Sequence, residues 1–424
     1  MQLAVNRKVY ILLVAIIGIS EMLAAQNNTN SPYTRFGYGE LAKAASGRNK
    51  DMGGIGIGSR ERDGVNILNP ASYNSIDSLS FIFEASLMGK FSNFENGDGK
   101  KEHKFTGNLD FLGMRFPIGK WIAASAGIAP YSYVGYDFPQ TGEVEINTSG
   151  GGTKTVSYIR NFEGEGGINK IYLGLAGKVG KHLSVGANVY YLFGDITHTR
   201  QVTFDATYGT FFSTLQNNRL HVSDFNATYG LQYFTPVGRQ HYLTVGLTAE
   251  LKNTMGGNYA IETSTIDTVE EKNKGRFESP LAIGVGVSYK FKNVLTLAAD
   301  YRYEGWKDCQ YFGLKDTLSN RHEICAGAEW TPEAYSKNFL KRLSYRVGAH
   351  VSKGYWDIEG GGLNNYGITF GIGIPTRGGR SMLNIGGEYG RLGNNSHGQI
   401  SEQYWKINLS ASIKEIWFFK RQFE

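Results

Sequence analysis

The run Gly53-Gly54-Ile55-Gly56-Ile57-Gly58 has a superficial likeness to a phosphate-cradling loop, in which glycines bring backbone N–H groups close to a ligand. A nucleotide cradle would add Gly-Lys-Ser/Thr and lie between a strand and a helix, and neither is legible here. Without a ligand, the same glycines permit tight turns and close approach to another surface. The eight histidines are dispersed, with His103, His198, His221 and His322 in or near polar connections, and none falls in a His-Glu-x-x-His or His-x-His constellation. No Gly-x-Ser-x-Gly elbow is present. The acidic residues of 262–278 are mixed with Lys272, Lys274 and Arg276, which reads as a solvated loop rather than a calcium site. Cys309 and Cys325 flank the region of Thr317; they either pair as a disulfide across neighbouring strands or stand as two unpaired small hydrophobes. These residues do not converge on a reaction: the expectation is a protein that is not an enzyme and carries no cofactor and no metal.

The elements around them explain why. In 281–304, Leu281, Ile283, Val285, Val287, Tyr289 and Phe291 alternate with small or polar residues, Lys292-Asn293 turns the chain, and Leu295, Leu297, Ala299, Tyr301 and Tyr303 alternate again. Strands of this length, with one consistently apolar face, match the roughly 9–11 residues that a tilted strand needs to cross a bilayer. The pattern recurs: Ile171, Leu173 and Leu175; Val185 and Val189; Ile368, Phe370, Ile372 and Ile374. About fourteen such strands are legible between 79 and 416. Tight turns at Pro117 to Lys120, Gly180-Lys181, Pro236 to Arg239, Lys292-Asn293 and Thr376 to Gly379 alternate with long polar connections at 136–165, 196–218 and 255–277. The expected fold is all-β: a transmembrane antiparallel β-barrel with short periplasmic turns, long outer loops and both termini periplasmic.

Composition agrees, with 56 glycines, 13% aromatic and 19% charged residues. Arg7 and Lys8, the apolar run 9–19 and the small residues Ala24 and Ala25 have the layout of a signal peptide, residues 1–25. The net charge of +6 is scattered through turns and loops, so no nucleic-acid partner is expected. Residues 26–78 lack alternation yet contain Tyr33, Phe36, Tyr38 and the glycine run, too apolar for a disordered leader. The lumen-facing residues are mostly small, so this segment is expected to fill the barrel as a hatch. Residues 417–424 are expected as a periplasmic tail.

Met52-Gly53-Gly54, then Asn69-Pro70-Ala71, then about fourteen strands, resembles the FadL-like family of outer-membrane barrels that transport long-chain fatty acids and other hydrophobic compounds. Ser31-Pro32-Tyr33-Thr34-Arg35-Phe36-Gly37 and Trp417-Phe418-Phe419-Lys420-Arg421 look like a divergent branch. The resemblance implies a Gram-negative outer membrane, with its lipids and lipopolysaccharide as surroundings. It also implies an N-terminal hatch with Gly53, Gly54, Asn69, Pro70 and Ala71 among its elements, and sideways release of substrate through a gap in the wall. Passive uptake of small hydrophobic molecules is the first functional expectation. The alternative is an accessory or docking subunit of an outer-membrane secretion or assembly complex, because relatives of this fold serve in that way too. A continuous apolar cavity ending at a wall gap would favour uptake, and a filled lumen would favour docking.

Overall fold

The structure is a computed structural model that describes residues 29–97, 99–147, 151–204, 212–265, 268–273, 277–310, 318–358, 361–376, 381–393 and 400–416. The expected signal peptide and the tail 417–424 lie outside the described residues. After a two-residue strand β1 (Glu40–Leu41), the wall begins with β2 (Ser80–Glu95), β3 (Lys101–Pro117), β4 (Ile122–Asn147), β5 (Thr153–Val179), β6 (Leu183–Phe204), β7 (Thr214–Pro236) and β8 (His241–Glu250). A connection holding β9 (Asn253–Met255), β10 (Gly257–Ser264), β11 (Thr268–Asn273) and β12 (Phe277–Ser279) follows. The wall resumes with β13 (Ala282–Phe291), β14 (Leu295–Glu304), β15 (Arg321–Trp330), β16 (Ser344–Ile358), β17 (Gly361–Pro375), β18 (Met382–Leu392) and β19 (Ser401–Ile416). Every neighbour is antiparallel, β13 pairs with β8, and β19 pairs with β2, which closes a fourteen-strand barrel.

Closure leaves no edge for most of the circumference, and each strand divides its side chains between lipid and lumen. Ile283, Val285 and Val287 on β13 and Ile368, Phe370 and Ile372 on β17 are exposed on the outside, as the alternation predicts. Ser288, Thr369 and Asp300 are buried toward the inside. Aromatic girdles bracket the apolar band: Trp330 and Tyr345 pair at the short-turn end with ring centroids 5.7 Å apart, and Tyr389 and Trp405 at the other end are 4.9 Å apart. Val285→Arg is therefore expected to cost about 2–4 kcal/mol, the midplane cost of an arginine on a lipid face. Unfolding titrations in lipid vesicles measure this, and a variant as stable as Val285→Leu would contradict the facing.

The connections at 136–165 and 196–218 differ from the expectation of loops. β4 and β5 stay paired as far as Asn147↔Thr153, and β6 and β7 as far as Val202↔Thr214. β10 adds to β7, and β11 to β10. Strands of 26 and 27 residues are more than twice what the bilayer needs, so they raise a sheet above it. Beyond the membrane there is no lipid to demand an apolar face, so the alternation fades while the backbone ladder continues. Cys309 and Cys325 are both free and buried.

Candidate functional site

The interior of the barrel holds the N-terminal segment. It enters through a 3-10 turn, Pro32–Arg35, forms β1, and then a one-turn helix α1 (Gly47–Asp51) whose N-terminus is capped by Ser46 Oγ accepting from Asn49 N at 3.3 Å. A second 3-10 turn, Pro70–Ser75, leads to the first barrel strand. Met52, Ile55, Ala71 and Tyr73 are buried.

Three consecutive amides of the glycine run converge on a carboxylate of the wall. Asp300 of β14 accepts from Gly56 N at 2.6 Å, Ile57 N at 2.7 Å and Gly58 N at 3.3 Å. Successive amides converging on one carboxylate form a nest, and charge-assisted hydrogen bonds of this kind are about twice as strong as neutral ones. Gly53 and Gly54 have φ of 77° and 81°, a region that side chains avoid. A Cβ on Gly53 would also strike the backbone of Ala326 and Ala349, while Gly53 N donates to Thr369 Oγ1 at 2.8 Å.

Asn69, Pro70 and Ala71 form a separate patch against other strands. Asn69 Oδ1 accepts from Ala71 N at 3.1 Å, and its amide donates to Ile57 O at 2.8 Å and Leu231 O at 3.3 Å. Ala71 O accepts from Ser184 Oγ at 2.6 Å. Pro70 lies where Gly186 and Gly230 leave the wall bare, since a Cβ on either would meet it. The five residues singled out in the sequence are thus split between two anchors on different sides of the lumen.

Sequence reasoning missed the charged partners. Arg346 of β16, with 0% side-chain exposure, donates from Nε to Glu329 Oε2 at 2.7 Å and from one terminal nitrogen to Asn384 Oδ1 at 2.7 Å, the same nitrogen lying 3.2 Å from Asp51 Oδ2. Arg48 of α1 grips Glu329 through two nitrogens at 2.5 and 2.6 Å and also pairs with Glu61. Lys50 pairs with Asp110, Lys43 with Glu323 at 3.0 Å, and Lys90 of β2 with Glu40 at 3.2 Å and Glu402 at 2.9 Å. The signal was there: charges at positions of strict strand period on an otherwise small lumen face. What the period could not give is which residue of the N-terminal segment each one meets.

Two arginines and two glutamates around Arg346 already balance, which leaves Asp51 as an excess carboxylate. Burial outweighs the Arg346 guanidinium beside it and pushes the Asp51 carboxyl up to about 7. A raised acid pKa means that folding takes up a proton. Its contribution is full below the ordinary aspartate range and is lost as pH rises toward 7, at about 1.4 kcal/mol per pH unit, with no further slope above. Asp51→Asn is expected to remove this slope, so the variant gains on the wild type between pH 5 and 7. Urea midpoints of the heat-modifiable band across that range test it, and a constant difference between the two proteins would contradict the assignment.

Two cavities inside have mixed linings. One cavity of about 100 Å³ is bordered by Lys43, Lys170, Glu250, Arg302, Glu304 and Arg321. Another of about 130 Å³ is bordered by Glu40, Lys50, Lys90, Asp110, His350 and Glu388. Leu41, Leu68 and Trp306 also border the first and Met88, Trp356 and Leu392 the second, so charged and apolar side chains are interleaved, and an apolar ligand would cost the charges their solvation wherever it displaced water from them. The wall is interrupted at one place among the described residues. β3 and β4 pair only from Leu112↔Ile128 to Pro117↔Ala123, and above that rung β4 instead pairs at Ser132 and Tyr133 with β1 of the N-terminal segment.

Comparison with solved structures finds this architecture in toluene transporters and in a FadL homologue. The Ralstonia pickettii toluene transporter TbuX is 15% identical with a TM-score of 0.56, over 87% of this chain and 98% of that one. A Pseudomonas aeruginosa FadL homologue is 13% identical with a TM-score of 0.61, over 88% and 99%. The P. putida toluene transporter TodX is 13% identical with a TM-score of 0.55, over 90% and 100%. At these identities the likeness is one of fold, and the FadL resemblance read in the sequence holds at that level. No curated protein sequence matches the chain. The model of a distinct family, described as BamG, matches residues 6–424.

Proposed function

The chain belongs to the BamG family, and from that premise we propose that it is an outer-membrane barrel kept closed by its own N-terminal hatch and serving as an accessory subunit of an outer-membrane assembly complex. The filled lumen carries this reading. Hatch and wall are joined by buried ion pairs on several strands, and the two cavities beside them are small, with charges set among their apolar side chains. A conduit for apolar solutes needs a continuous greasy path, whereas a scaffold needs a stable barrel and a surface.

The surface on offer is the sheet that β4 to β7 raise above the bilayer. On β4, β5 and the end of β6 its charges are sorted by strand period, while Arg219 of β7 stands on the acidic side. Lys154, Arg160 and Arg200 share the lumen-side face with Phe138, Tyr158 and Phe162, while Asp137, Glu143, Glu145 and Glu163 share the other. The Arg160 and Arg200 guanidinium carbons lie 4.6 and 5.3 Å from the ring centroids of Tyr158 and Phe162. Such a face suits another protein better than a small solute.

Affinity purification from native membranes in mild detergent, with mass spectrometry of proteins and lipids, tests the reading. Other outer-membrane subunits are expected to co-purify in defined ratio. A protein that runs alone and binds toluene or a fatty acid saturably would overturn it in favour of passive uptake. That second reading is favoured by the interrupted β3–β4 ladder, since a side opening is what lateral release requires.

A further inference from the structure

Five of the connections at the short-turn end need three to six residues, but the one between β15 and β16, residues 331–343, needs many more and folds into a shape of its own. Glu333 N donates to Lys341 O at 2.9 Å, which closes the turn, and Thr331 N donates to Val294 O at 2.8 Å, which ties it to the neighbouring turn. Its last residues form a short helix α2 (Phe339–Arg342), entered through Asn338, whose Oδ1 accepts from Leu340 N at 3.0 Å.

The helix lies on the outside of the wall. Tyr345 Oη donates to Leu340 O at 3.0 Å, and Tyr345 stands in register with Trp330 and with the lipid-facing Ile372. The turn therefore folds outward along the aromatic girdle rather than beneath the lumen. Phe339 is 49% exposed and Leu340 61%, and the Tyr345 hydrogen bond sets Leu340 beside the girdle that edges the apolar band. Lys337 and Lys341 are exposed beside them, and the Arg342 guanidinium carbon is 5.8 Å from the Phe339 ring centroid. Glu333, 3.8 Å from Lys341, is the one acid of the turn, so three cations face one anion.

We propose that the 331–343 turn is a binding site for anionic phospholipid in the leaflet at the short-turn end, with Phe339 and Leu340 in the acyl boundary and Lys337, Lys341 and Arg342 on the headgroup phosphate. Lipid is the occupant because the exposed apolar pair is continuous with a surface that lipid already covers. Long basic side chains next to an interfacial apolar pair reach up to phosphates while their stems stay in the boundary. The consequence is a fixed depth and tilt for this side of the barrel, and a local enrichment of anionic lipid around it. It stands whether the barrel transports or docks.

Native mass spectrometry of the folded, full-length protein, titrated with phosphatidylglycerol and with phosphatidylcholine of the same acyl chains, is the test. The wild type is expected to prefer phosphatidylglycerol. A lysine near an anionic surface is worth roughly fivefold in affinity, so Lys337→Gln with Lys341→Gln should cut the preference by roughly 25-fold. Phe339→Ser with Leu340→Ser should weaken both lipids alike and leave the preference standing. All these side chains are exposed, so the barrel should remain heat-modifiable, which the same samples report. An unchanged preference in the lysine variant, or unchanged binding in the apolar one, overturns the site. So does a lysine variant that keeps its lipid but loses a protein that co-purifies with the wild type, which would make the turn a protein contact.

Discussion

Arg346→Leu is expected to destabilise the folded barrel by about 3–5 kcal/mol, the cost of removing one partner from a buried charge cluster. Its guanidinium holds Glu329, Asp51 and Asn384 Oδ1 at once, with no exposed surface of its own. Leucine fills part of the volume and satisfies none of the three. Arg48 still grips Glu329, so the orphaned groups are chiefly Asp51 and Asn384, and pairing the change with Asp51→Asn should recover part of the loss. Arg346→Lys should fall between, since an ammonium keeps the charge but cannot span three acceptors in one plane. Equilibrium unfolding in lipid vesicles at pH 7 measures the series. An Arg346→Leu protein within 1 kcal/mol of the wild type would mean that water reaches the cluster and shares its solvation.

The barrel was legible because the bilayer imposes a rule on every second residue. Val285 outside and Gly286 inside follow from period two alone, and so does the register of β13 against β14, pinned by the Lys292-Asn293 turn. Where that rule stops, the reading stopped too. Tyr158 and Glu163 look like loop residues because no solvent boundary sorts them into greasy and polar, yet both sit in regular ladder with β4 and β6.

The inner anchors were half legible. The glycine run resembled a phosphate loop only superficially and read better as backbone for tight turns, and sequence offered no way to see that its amides meet Asp300, 242 to 244 positions away. Asn69 and Pro70 stood out only through the family resemblance, and the 3-10 turn Pro70–Ser75 begins there because proline suits its first position and Asn69 Oδ1 accepts from Ala71 N. Gly186 and Gly230, bare where Pro70 lies, belong to strand patterns in which a small residue was expected anyway. A long-range contact between two locally ordinary residues leaves no local trace.

Deleting residues 27–66 is expected to turn an electrically silent barrel into one that passes discrete open-channel steps in planar bilayers, and the argument is the reverse of that for Arg346. Losing a single partner strands charges in a dry interior, whereas losing the whole segment lets water in to solvate Asp300, Glu323, Asp110 and Glu329 together. The fourteen-strand ladder keeps every rung except the two that β1 makes with β4, so the wall should survive. The retained 67–79 keeps Asn69 and the Pro70–Ser75 turn against β6 and β7, which holds the chain to one side of the lumen. A lumen lined by Arg302, Arg321, Glu304 and Glu250 should then favour hydrated ions over apolar solutes. Restoring 27–66 as a separate peptide should close the channel again, because Arg48, Lys50 and Lys43 would find their wall carboxylates. If the truncated barrel folds and stays as silent as the full chain, the closure lies elsewhere. The nearest candidate is then the inward-buried stretch Ser132, Tyr133, Val134 and Tyr136 of β4.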